Sequence, residues 1–246
     1  LRATYSETSQ DLTVTPDVAE LVIEEPYYGQ GGEFERTIKT FDVGASLVLA
    51  GFTLSAQYRD DSADDAVFRT DYLDRQRSRV RAAYATKGGM FRASALAENT
   101  EAENLEGGVG YDGSMDVYAA DFEFAPWQVL RLRASYAQHD AASTVIWRRP
   151  ESLTLDVSDE VEEGESLEAG LSLLFKPVTI DLGYGTFENE GSLPLEMNRL
   201  RGRLQLNLKG GAGIAAEYAY DEYDETTANL SDYTAARYGL YLTWKQ

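Results

Sequence analysis

Residues 198–211 read NRLRGRLQLNLKGG. Arg199, Arg201, Arg203, Gln205 and Asn207 fall on one side of an extended chain, and Leu200, Gly202, Leu204, Leu206 and Leu208 on the other. Period-two alternation of this kind makes a β-strand with one polar and one apolar face. The fold turns on what covers the leucines: the inside of a soluble protein, or lipid.

The 246 residues suffice for one large all-β domain or two small ones. No apolar run approaches the roughly eighteen residues of a transmembrane helix. The absence of cysteine excludes a disulfide framework, a thiolate metal site and covalent haem attachment. A net charge of −20 opposes a nucleic-acid partner, because phosphates would be repelled. With Leu1 first and no signal peptide, the chain is expected to be processed or to be part of a longer one.

The same alternation recurs throughout, and helical periodicity is nowhere sustained. It predicts about twelve strands, at 1–7, 38–49, 52–60, 71–86, 89–98, 114–125, 128–138, 166–175, 178–187, 196–208, 211–221 and 233–245. Most approach the roughly nine to eleven residues that a tilted strand needs to cross a bilayer. Tight connections at Ala50-Gly51, Thr86-Lys87-Gly88, Pro126-Trp127, Lys176-Pro177 and Lys209-Gly210 carry glycine or proline, which supply hairpin dihedrals. They alternate with long acidic connections over 8–37, 61–70, 99–113, 139–165, 188–195 and 222–232, including DDSADD, ENTEAENLE and DVSDEVEEGE. Short turns at one end and long polar loops at the other describe an all-β, up-and-down antiparallel transmembrane barrel, one domain over 1–246.

The apolar rows agree. Phe52, Leu54, Ala56 and Tyr58 form one; Tyr118, Ala120, Phe122 and Phe124 another; Val178, Ile180, Leu182 and Tyr184 a third. Aromatics sit mainly at the row ends, as interfacial girdles around a hydrocarbon band would. A soluble sandwich explains the alternation equally well, but neither the turn asymmetry nor thin rows such as Phe91, Ala93, Ala95 and Ala97.

The last strand reads ARYGLYLTWKQ. Arg237, Gly239, Leu242 and Trp244 fill the order polar, glycine, hydrophobic, hydrophobic at the spacing of the C-terminal β-signal, and the chain resembles bacterial outer-membrane β-barrel proteins. The resemblance implies a location in the outer membrane. It implies as partners membrane lipid, lipopolysaccharide and the assembly machinery that reads the signal. Many members end on an aromatic residue, whereas here Lys245 and Gln246 follow Trp244.

If the leucines face lipid, the arginines face a lumen. Folding each hairpin about its turn sets Asp42 opposite Arg59, Arg77 opposite Glu98, Asp121 opposite Arg133 and Glu123 opposite Arg131. It also sets Arg203 opposite Glu217 and Arg199 opposite Asp221. In the remaining hairpin Glu168 meets Gly185 and Asp181 meets Ser172. The expected pore lining is Asp42, Arg59, Arg77, Arg79, Arg81, Asp121, Glu123, Arg131, Arg133, Asp181, Arg199, Arg201, Arg203 and Glu217. Rows of Arg beside Asp and Glu resemble the constriction of diffusion porins, which implies passive passage of ions or small hydrophilic solutes. Mixed signs argue against strong ion selectivity. The 139–165 segment, with Trp147, Arg148 and Arg149, either folds into the mouth or extends the neighbouring strands outward.

Two other functions compete. One is a structural barrel sheathing or anchoring a periplasmic partner, such as a cytochrome of an electron conduit; a homo-oligomer or a periplasmic protein is also among the partners to expect of the barrel. The other is a rim hydrolase using His139, the single histidine, with Asp140 and Ser143 nearby. Adjacent strand residues point to opposite faces, so a surface histidine at a strand-to-loop junction is the expectation, with no catalytic residues. The loop carboxylates Asp60, Asp61, Asp64, Asp65, Asp159, Glu160, Glu162 and Glu163 show no calcium-loop spacing and read as a solvated acidic rim. No metal site or cofactor is expected.

Overall fold

A computed structural model describes residues 1–14, 32–64, 72–104, 110–148, 155–192, 194–208, 211–225 and 232–244. Twelve strands form one antiparallel sheet in sequence order. They are β1 (Arg2–Val14), β2 (Gly32–Leu49), β3 (Phe52–Ala63), β4 (Asp74–Ala85), β5 (Phe91–Asn104) and β6 (Gly110–Trp127), followed by β7 (Leu130–Arg148), β8 (Leu155–Phe175), β9 (Val178–Gly191), β10 (Leu195–Asn207), β11 (Ala212–Glu225) and β12 (Tyr233–Trp244).

The strands run further than expected at the end away from the tight turns. DVSDEVEEGE lies inside β8, ENTEAEN ends β5, and DEYDE ends β11; none of these is loop. β7 and β8 stay paired out to Arg148 and Leu155, so 139–165 extends its neighbours rather than folding back, apart from 149–154, which lie outside the described residues. A 21-residue strand is about 70 Å long at a rise of ~3.3 Å per residue, far more than a bilayer core requires. Its acidic portion therefore stands beyond the membrane, where carboxylates stay hydrated.

Two registers differ from the hairpin expectation. β6 continues through Pro126 and Trp127 and turns at Gln128 and Val129, with an irregularity between Phe124 and Trp127. Three steps on β6 there oppose two on β7, a bulge in which a residue without an N–H is tolerated. Glu123 consequently pairs with Arg133, and Asp121 with Ser135. The β4–β5 connection spans residues 86–90 rather than three residues, so Arg79 and not Arg77 faces Glu98. Both displacements are two residues, which leaves every side chain on its expected face. The pairs Asp42–Arg59, Arg203–Glu217, Arg199–Asp221, Glu168–Gly185 and Asp181–Ser172 stand as read. Ala50 and Gly51 both take positive φ, 50° and 89°, the backbone of a tight hairpin whose twist matches its strands. The Lys209-Gly210 turn lies outside the described residues.

The sheet is inside out relative to a soluble domain. Among the described residues the buried hydrophobic side chains reduce to Ala215, whereas Asp61 is 0% exposed and Asn104 1%. Leu54, Phe122, Leu182, Leu204 and Leu242 are exposed. The accessible surface is 16243 Å², against about 11,000 Å² for a compact monomer of this mass. The apolar rows do not meet one another across a dry layer.

Those rows are bounded by aromatics. Near the tight turns Phe52, Tyr84, Phe91, Phe122 and Phe124 make a continuous run, with successive centroids 4.4, 6.0, 5.3 and 6.5 Å apart. Six residues further along, β3, β6 and β9 carry Tyr58, Tyr118 and Tyr184. That separation is about 20 Å of strand, on the order of the ~25 Å apolar band of an outer-membrane barrel.

Candidate functional site: the charged inner face

The opposite face curls around a cavity of about 1040 Å³ to which every strand from β3 to β12 contributes. Nine of the expected lining residues border it: Arg81, Asp121, Glu123, Arg133, Asp181, Arg199, Arg201, Arg203 and Glu217. Each owes its inward direction to strand parity. Arg92, Glu168 and Arg237 border the cavity too.

Asp42, Arg59, Arg77, Arg79 and Arg131 share the inner face but do not border this cavity. They are engaged locally. Gln57 donates to Asp42 Oδ2 at 2.5 Å, Arg77 reaches Glu98 at 2.7 Å with Arg79 at 3.6 Å, and Arg131 lies 3.5 Å from Glu123. Arg59 bonds not to Asp42 opposite but to Asp61, two residues along its own strand, at 2.8 Å. Asp61, expected on a solvated rim, is instead enclosed: Thr40 Oγ1 donates to it at 2.6 Å and Arg75 Nη2 at 2.7 Å. The Arg75 guanidinium also stacks on the Tyr72 ring, 4.3 Å from its centroid, and Arg36 lies 4.9 Å from the same ring. The sequence signal was available, because Asp61 shares the parity of Arg59.

A second hub joins the last strands. Asp221 accepts from Arg199 Nε at 2.8 Å and Arg237 Nη2 at 2.6 Å, tying β10, β11 and β12. Arg203 pairs with Glu217 at 3.3 Å. On β12, Gly239 lies under the Tyr241 ring, where an added Cβ would come within 2.6 Å of it, and Leu242 and Trp244 point outward, exposed.

His139 is not at a strand end. It lies within β7 on the inner face, its ring stacked on Phe187 at 6.3 Å and set over Gly164. Asp140 points to the other face, and Ser143 is four residues on, about 13 Å along the strand. The structure does not bring these three together. Outside the spanning segments, the Thr37 N–H donates to Asp64 Oδ1 at 2.7 Å and holds that carboxyl below its ordinary value. Among the described residues no group of His, Cys, Asp and Glu is placed to hold a metal ion. Asp65, Arg149 and the side chains of Trp147 and Arg148 lie outside what is described.

An apolar, aromatic-bounded exterior around a charged interior is the arrangement of an outer-membrane barrel. The family described as Gram-negative porin matches residues 42–227. The chain belongs to the Gram-negative porin family. Its place is the bacterial outer membrane, with its tight turns on the periplasmic side and its acidic strand ends outside. No curated protein matches the sequence. The ferric citrate transporter FecA, in the unliganded form, shares its fold at TM-score 0.50 and 9% identity, over 97% of this porin-family chain and 40% of that one. The chain thus spans 40% of the length of that structure. Outer-membrane expressed OmpT of Vibrio cholerae (TM-score 0.45, 8% identity, 98% of this chain and 97% of that one) is also similar. So is the beta domain of the Bordetella autotransporter Brka (TM-score 0.37, 11% identity, 98% and 95%). Neither adds to the argument at those scores.

Proposed function

We propose that this porin-family chain is a passive channel for ions or small hydrophilic solutes, its lumen lined by the cavity-bordering arginines and carboxylates. The observation that supports the reading is the partition of side chains: charges of both signs line the cavity on one face of the sheet, and aliphatics stand exposed on the other. A path lined by ionised groups of both signs stays wet and lets hydrated solutes exchange water for fixed partners. In this reading Asp42, Arg59, Arg77 and Arg79 line the outer part of the same path and Arg131 its periplasmic end, where pairing with Gln57, Asp61, Glu98 and Glu123 holds the wall. The acidic strand ends meet lipopolysaccharide, and Arg237, Gly239, Leu242 and Trp244 are the segment read by the outer-membrane assembly machinery. A homo-oligomer or a periplasmic partner is compatible with this arrangement. The test is reconstitution of the full chain into a planar bilayer. Discrete conductance steps in potassium chloride are expected, and a tight seal in repeated insertions of heat-modifiable, folded protein would overturn the reading.

A further inference from the structure

Within the cavity, one row of paired residues runs across four strands: Arg133 on β7 faces Gly170 on β8, Gly170 faces Gly183 on β9, and Gly183 faces Arg201 on β10. Two glycines therefore lie side by side between two arginines. Two residues to one side of this row stands Glu168, and two residues to the other side stands Asp181. At a strand spacing of ~4.8 Å and a rise of ~3.4 Å, the Arg133–Arg201 and Glu168–Asp181 backbone separations are each about 14 Å. Charges of alternating sign thus occupy the corners of a diamond whose centre has no side chain. An added Cβ at Gly170 or Gly183 would meet nothing closer than 3.6 or 3.8 Å, so the centre is open, not sterically required to be glycine.

The four corner charges lack ionic partners among the described residues. The cations that would neutralise the carboxylates are turned elsewhere. Arg199, across from Gly185 beside Glu168, is held by Asp221; Arg203, directly across from Asp181, is held by Glu217. Arg133 keeps one long contact, 3.4 Å to Ser172 Oγ, and that buried hydroxyl donates to Asp181 at 2.5 Å. The β11 carboxylates thus draw two arginines away and leave an unneutralised quadrupole over a bare floor. A simple anion entering there meets two carboxylates, and a simple cation meets two guanidinium groups. A solute carrying both signs satisfies neighbouring corners together.

We propose that the Gly170–Gly183 floor is a subsite for small zwitterions, the free amino acid class. The solute carboxylate lies on the Arg201 guanidinium, whereas Arg133 keeps its Ser172 contact, and the solute ammonium lies on Glu168 or Asp181. This rests on the channel reading. The glycines let the solute approach the sheet, so that both charged ends engage at once. A neutral sugar of the same size can hydrogen-bond to these corners but forms no ion pair with them.

The test uses the full chain in phosphatidylcholine liposomes, comparing isosmotic swelling in glutamine and in arabinose, with protein-free liposomes as baseline. Glutamine is expected to enter about threefold faster or more, the discrimination that even one ordinary net hydrogen bond supplies. Arg201→Gln, which removes a guanidinium with no partner among the described residues and so does not threaten folding, should bring the ratio to about one. Gly183→Leu, which fills the floor while keeping all four charges, should do the same. Arabinose entry with no preference for glutamine overturns the subsite and leaves the channel standing. A preference that survives both substitutions also overturns it. Entry of neither solute overturns the channel reading and the subsite with it.

Discussion

Arginine placed at successive outward positions of β9 should measure the membrane directly. Val178, Ile180, Leu182 and Tyr184 share one face, and Leu182 sits between Leu171 and Gly202 on the neighbouring strands. Four residues separate Val178, beside the periplasmic turn, from Leu182. That is about 14 Å of strand and about 10 Å of depth at a tilt near 45°. An outward arginine costs roughly 2–4 kcal/mol at the midplane and about 0–1 kcal/mol near the interface. Leu182→Arg should therefore destabilise the folded protein by about 2–3 kcal/mol more than Val178→Arg. Urea unfolding from phosphatidylcholine vesicles, followed by tryptophan fluorescence in both directions, reads the difference. Equal costs would refute the reasoning, since a guanidinium forced into a dry inter-sheet core is penalised at every buried position regardless of depth.

Asp61→Ala should cost about 2–3 kcal/mol in the same assay, because two arginines and Thr40 lose their shared acceptor, and the arginines are exposed enough for water to soften the loss. Gly51→Ala should cost about 1–2 kcal/mol: its φ is 89° and the new Cβ would fall 2.5 Å from the Ala85 carbonyl oxygen, which is backbone and cannot swing away. The Asp64 carboxyl is depressed in the folded state, so its hold on the Thr37 N–H is complete above the ordinary value of 3.8 and is lost as the pH falls through the lower folded value. The Thr37 amide resonance should stay fixed from neutral pH down to about 4 and move only below it; movement at pH 5–6 would contradict the assignment.

The opening stretch of β10 carried most of the fold, because lipid tolerates only apolar side chains and an enclosed lumen holds the polar ones, so each strand declares its two faces. What could not be read followed from geometry between strands. Glu123 and Arg133 were placed one pair out of step because the bulge at Pro126 leaves no trace in a periodicity count. The segment DVSDEVEEGE looked like loop because carboxylates are poor strand formers on average. Here they alternate with Val157 and Val161 on a strand paired on both sides over part of its length, which overrides propensity. The glycine pair at 170 and 183 was invisible for another reason: its contribution is a missing side chain, and its position relative to Arg133 and Arg201 exists only after three hairpin registers are combined.

A sheet without a packed interior needs other means of choosing one register, since sliding by two residues keeps leucines toward lipid and arginines toward water. The inner-face hubs supply one. Asp61 binds residues of β2, β3 and β4, and Asp221 binds residues of β10 and β12; a two-residue slip would move each carboxylate about 7 Å from its guanidinium. Rings set over glycines supply another, as with Tyr111 on Gly113, His139 on Gly164 and Tyr241 on Gly239. Of these, the His139 joint spans β7 and β8, so it senses sliding, whereas the two tyrosines cover glycines of their own strands and only stiffen them. Between the hubs the cross-strand links are more scattered: Arg77 to Glu98, Ser94 to Asp121, Asn99 to Asp116 and Arg131 to Glu123. The bare glycine floor lies on β8 and β9, with Arg133 on β7 and Arg201 on β10 at its sides. Carboxylates hydrogen-bonded to two arginines thus stand near the two ends of the strand order, at Asp61 and Asp221, and the glycine floor has none; on the proposed reading that is what leaves fixed charges available to a solute.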